Sequence, residues 1–153
     1  MAENSYREQI LDRVRITLEA IVSIRTVKRK ILSSINELKE IAFPQFPIIC
    51  MTGGLPVPKD RGYVTLKESG QSSKVRSVLS IELRTYGINR TDPDTEISTL
   101  ADDLWKKLYA DPTVGGLAES VIVKPNPRIM FLEPFFRFDM IYDVEYIHDT
   151  DNI

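Results

Sequence analysis

The sequence predicts an α/β (α+β) fold: a mixed, mainly antiparallel sheet packed against two main helices, with one long hairpin or loop excursion. Three observations carry this. Residues 5–21 and 92–108 repeat apolar side chains at spacings of three and four, the period of a helix face laid on a core. Residues 75–84 and 136–146 alternate apolar and polar side chains, the period of a strand. Between Leu55 and Ser73 neither period holds, and Pro56, Pro58, Gly62 and Gly70 punctuate a polar stretch.

Length and composition bound the answer. A chain of 153 residues suits one domain, 1–153, and leaves little room for a second core. Its 42% apolar and 27% charged residues supply a packed interior, well above the composition of a disordered chain. A formal charge of −2 gives no global attraction to nucleic acid. The single cysteine, Cys50, lies in the apolar run from Phe46 to Met51 and reads as a reduced, buried side chain. Neither a secretory leader nor an apolar run long enough to cross a bilayer is evident, so Asn89-Arg90-Thr91 is not expected to be glycosylated.

In chain order, Ser5 and Glu8 form a capping box that opens a helix. Leu11, Val14, Leu18 and Ile21 make its buried stripe, with Ile10 beside them. Ile24, Thr26 and Lys28 then alternate with Arg25, Val27 and Arg29 as a short strand with a basic end. Ile31, Ile35, Leu38 and Ile41 fit either a helical turn or a packed loop. Ile48 to Met51 read as a strand ending at Gly53-Gly54, which Pro47 keeps from extending backwards into a central sheet position. The excursion over 55–73 contains one strand fragment, Tyr63 to Leu66. Val75, Ser77, Leu79, Ile81 and Leu83 mark the apolar side of the long strand that follows. Asp92 caps the second helix, Pro93 opens it, and Ile97, Leu100, Ala101, Leu104 and Leu108 face the core with Trp105 on the flank. It stops near Asp111-Pro112, Gly115-Gly116 turns the chain, and Val121 to Val123 begin another strand. In the last strand Phe136, Phe138, Met140, Tyr142, Val144 and Tyr146 share one face; Arg137, Asp139, Ile141, Asp143, Glu145 and Ile147 share the other.

Candidate chemistry is sparse, and no catalytic group, cofactor or metal site is assigned. Asp139, Asp143 and Glu145 carry the right oxygens for Mg²⁺ or Ca²⁺, but a straight strand spreads them apart, and Arg76 and Arg84 can match them from a neighbouring strand. His148 is expected at a solvent-exposed or edge position, since general-base work needs an oriented nucleophile as well. Gly53-Gly54, Gly115-Gly116 and Lys59 do not assemble a phosphate loop. Arg25, Lys28 and Arg29, with Lys30, form the best basic patch for a partner.

Six pieces of the sequence together resemble the tail-terminator (tail-completion) proteins of long-tailed bacteriophages. They are the first helix ending near Ile21, Thr26-Val27-Lys28-Arg29, Phe43-Pro44-Gln45-Phe46-Pro47-Ile48-Ile49, Ala101-Asp102-Asp103-Leu104-Trp105, the turn from Asp111 to Ala118, and Asp143-Val144-Glu145-Tyr146. The resemblance implies a mixed sheet flanked by helices and a hexameric ring seated on the last ring of the tail tube. Such a ring ends tube elongation and presents a surface to the head-tail connector or neck protein, with the sheath protein as a further candidate partner. Its location is the virion, at the head-proximal end of the tail, after assembly in the host cytoplasm.

On that reading Arg61, Tyr63 and Lys67 in the excursion are candidate contacts to neighbouring copies or the tube. Asp139, Asp143 and Glu145 are candidates to face the channel as a negative wall that lets DNA pass without binding. Alternatives are another ring-forming neck or connector protein, a metal-dependent enzyme using the acidic strand, and a nucleic-acid module using the basic patch.

Overall fold

The computed structural model describes residues 5–30, 32, 34–59, 74–89 and 92–149. Their elements are helices α1 (Tyr6–Glu19), α2 (Ile35–Lys39) and α3 (Pro93–Tyr109), with a 3₁₀ turn over Phe43–Gln45. The strands are β1 (Thr26–Lys28), β2 (Ile48–Gly53), β3 (Val57–Pro58), β4 (Lys74–Ile88), β5 (Ser120–Leu132) and β6 (Phe135–Asp149). The sheet order is β1-β2-β4-β6-β5, and β3 pairs beside β2 onto the same strand, β4. Only β1 and β2 run parallel; every other pairing is antiparallel.

The two long helices start where their caps place them. Ser5 accepts the Glu8 N–H at 3.2 Å, and Asp92 accepts the Thr95 N–H at 3.2 Å, each satisfying a donor that the first turn leaves open. Half of the expected capping box is used differently, because the two Glu8 carboxylate oxygens go to Arg29 at the end of β1. That pair ties the first helix to the sheet and holds the Glu8 carboxyl below its usual range, chiefly through the Arg29 hydrogen bond.

Alternation along β4 and β6 divides the sheet into two unequal faces. Phe136, Phe138, Met140, Tyr142, Val144 and Tyr146 lie beneath α1 and α3, whose Ile10, Leu11, Val14, Leu18, Ile97, Leu100, Leu104 and Leu108 complete the main core. Ala101, expected in that stripe, is half-buried at its margin. Gly87 lets the Phe136 ring lie against the strand: a Cβ there would sit 2.1 Å from the ring carbon Cζ.

On the opposite face a smaller cluster gathers Leu32, Leu38 and Phe46 over Ile48, Cys50, Tyr86, Ile88 and Phe135. The helical option for residues 30–40 is the one adopted, as a single short helix capped by Ser34. Cys50 is buried there, and desolvation raises its thiol above the ordinary value.

Two strand expectations change, for β2 and β6, and β5 gains an end that the sequence left open. β2 is an interior strand, between β1 and β4, because Pro47 precedes the ladder and offers its carbonyl to the Arg25 and Thr26 N–H groups. β5 runs far past Val123, carrying Pro125 and Pro127 through a register shift. Prolines are tolerated on it because it is the sheet's edge. β6 continues to Asp149, three residues beyond the expected end. The strand fragment Tyr63 to Leu66 lies outside the described residues.

Candidate interaction surfaces

The second sheet face extends beyond the cluster under α2, and there Asp143 and Glu145 of β6 meet cations from three other segments while Asp139 pairs on its own strand. Asp139 is held bidentately by Arg137, with Nε to Oδ1 at 2.8 Å and Nη2 to Oδ2 at 2.6 Å. Asp143 accepts from the Ser80 hydroxyl at 2.6 Å and pairs with Lys124 Nζ at 2.7 Å. Glu145 lies between Lys59 at 2.8 Å and Arg76 at 3.4 Å, and Arg76 also reaches Glu119 at 2.9 Å. Arg76 thus meets the acidic strand as expected, whereas Arg84 turns to Glu82 on its own strand.

The consequence is electrostatic. In the ion pairs of this face Lys59, Arg76, Arg84, Lys124 and Arg137 stand against Glu82, Glu119, Asp139, Asp143 and Glu145, so the charges balance. Asp139, Asp143 and Glu145 are therefore brought to one face, but as partners of cations rather than as a bare negative wall. A divalent ion would have to displace those cations, and among the described residues no group of three or more His, Cys, Asp or Glu could hold a metal. Between the pairs, Ile122, Ile141 and Ile147 are exposed, a mixture of apolar area and satisfied charge that suits protein contact.

The candidate basic patch is not brought together. On β1 Lys28 shares a face with Cys50, Arg29 turns the other way to Glu8, and Arg25 lines a groove at the end of the sheet. Alternation along a strand sends neighbouring side chains to opposite faces, which a run of basic letters conceals. Arg61, Tyr63 and Lys67 lie outside the described residues.

His148 overturns its expectation. It is 5% exposed, on an interior strand, and its Nε2 lies 2.7 Å from the Oγ of Ser77. β6 extends past Tyr146 and pairs Val75 with His148, which carries the ring under the start of α1 beside Tyr146. Spacing could have indicated this, since His148 continues the Phe136-to-Tyr146 alternation by one more step.

Neither a family model nor a curated protein matches this chain.

Two further surfaces flank α3. On one side a groove of about 560 Å³ runs between Glu96, Thr99 and Leu100 of the helix and Val22, Arg25, Phe43, Pro44 and Pro47. Val22 and Phe43 stand out at its rim. On the other side Trp105 and Tyr109 project with their ring centres 5.5 Å apart, and the Tyr109 hydroxyl accepts the Val123 N–H of the edge strand at 3.1 Å. Farther along β5, on the helix-bearing face of the sheet, Ile129 and Phe131 are exposed as well.

Proposed function

We propose that this chain is a structural virion protein of a long-tailed bacteriophage, forming a closed ring that caps the tail tube, stops its elongation and supplies the head-attachment surface. The observation that carries the reading is the charge-balanced sheet face, apolar between its ion pairs and left open beside a fully packed core on the other face. A surface of that kind is suited to protein contact, and the mixed sheet flanked by helices is the architecture that the sequence resemblance implies. A heterologous contact repeated around a rotation axis closes without producing a filament. Termination follows when one side of such a ring matches the tube and the other does not.

Should the open face line the channel, it would present little net charge, so DNA would pass through neutrality rather than through repulsion by Asp139, Asp143 and Glu145. Electron microscopy of the purified chain with isolated tail tubes tests the proposal. Six copies at one tube end, and longer irregular tubes without the protein, are expected. A chain that never joins tube ends defeats it.

A further inference from the structure

We infer that copies of this chain join head to tail through opposite flanks of α3, the apolar stripe of one copy seating in the groove of the next. The inference rests on the ring reading and names its interface.

The stripe is composed of Trp105, Tyr109, Ile129 and Phe131, exposed by 41%, 38%, 44% and 54%. Large aromatic and aliphatic side chains left exposed on one flank of the helix and farther along the edge strand tied to it mark a contact surface. Tyr109 fixes this flank by taking the Val123 N–H, and Pro125 and Pro127 have no N–H to offer. Edge-to-edge strand pairing is thereby blunted, and contact falls to the side chains.

The groove lies on the far side of the same helix, so stripe and groove cannot meet within one chain. A contact between two different surfaces is heterologous, the kind that closes rings. Charge gives the pairing its polarity. Asp94 lies about three turns before Trp105, on the same flank of α3, and is exposed without a partner among the described residues. Arg25 in the groove likewise has no side-chain partner among them, and Glu96 on the opposite wall makes no ion pair with it. An unpaired carboxylate beside the stripe and an unpaired guanidinium in the groove complement each other only between copies.

The full chain can be tested by sedimentation velocity together with the emission of Trp105, its only tryptophan. The wild type is expected to exceed its 17.5 kDa mass as concentration rises, with a blue shift of Trp105 as the indole leaves water. Arg25→Glu, which faces Asp94 and Glu96 with a third carboxylate, is expected to weaken association roughly tenfold or more. Adding Asp94→Arg is expected to restore most of it, with thermal melting checked for each variant. A wild type that stays monomeric at its solubility limit, or a loss that the second substitution does not rescue, overturns the interface. A chain that associates through this pair yet leaves tube length unchanged defeats the tail-capping proposal and keeps the interface.

Discussion

Ser77 and His148 satisfy each other inside the main core: the Ser77 hydroxyl donates to His148 Nε2 at 2.7 Å. The direction follows from the other ring nitrogen, because Nδ1 lies 2.8 Å from the Asp149 carbonyl, which can only accept. In the neutral ring Nδ1 therefore carries the proton and Nε2 is the acceptor. His148→Leu strands the buried hydroxyl and is expected to cost about 2 kcal/mol; Ser77→Ala strands the ring nitrogen at a similar cost. The double variant should lose less than the sum. Urea unfolding of all three gives the coupling, and additive losses would mean that the two groups do not depend on each other.

Arg137 and Asp139 stand in the same relation with charge added. Their side chains are 16% and 8% exposed, and the bidentate geometry raises the Arg137 guanidinium above its ordinary value, chiefly through the Asp139 hydrogen bond. Arg137→Met leaves a nearly buried carboxylate unpaired and is expected to destabilise by about 3 kcal/mol. Asp139→Leu added to it should recover most of that loss, since an apolar pair of similar volume removes the desolvation cost as well. Thermal melts decide the matter, and equal stabilities of the wild type and Arg137→Met would show that the pair contributes nothing.

How far the sequence reaches depends on which residues carry the signal. Alternation over Phe136 to Tyr146 and the three-four spacing over Ile97 to Leu108 each determine an element and its buried face, and the structure keeps both. Local letters failed where a partner strand decides. The run from Val121 to Val123 marks where β5 begins but not where it ends, because β6 supplies the ladder that carries it past Pro125 and Pro127. Asp143 and Glu145 read as acidic because their cations come from Lys124, Lys59 and Arg76, up to 86 residues away, while Asp139 is matched by Arg137 two residues before it. The groove beside α3 was illegible for the same reason, since Arg25, Phe43 and Glu96 meet only once the sheet has formed.

Thr85 supplies a stabilising substitution. It is fully buried in β4 between Ile49 and Phe138, and its Oγ1 has no hydrogen-bond partner among the described residues. A hydroxyl taken from water without compensation costs stability, whereas valine has the same branched shape and prefers the same strand backbone. Thr85→Val is expected to gain about 1 kcal/mol in urea unfolding. A loss of that size would mean that the hydroxyl is satisfied in solution.

Tyr146 supplies the pH dependence. Burial pushes its phenol up to about 12 from an ordinary value of 10.0, because the phenolate would have to leave water for the core beneath α1. Between these values the unfolded chain has released this proton while the folded chain keeps it, so the unfolded state binds fewer protons and stability falls as pH rises. The contribution is complete below pH 10 and is lost as pH passes through about 12. Tyr142, its neighbour on the same face, is raised in the same direction, chiefly by burial, and steepens the decline. Tyr146→Phe should flatten the slope of unfolding free energy against pH in that window while leaving the slope below pH 9 unchanged. An unaltered alkaline slope in the variant would show that this phenol does not govern the alkaline limit.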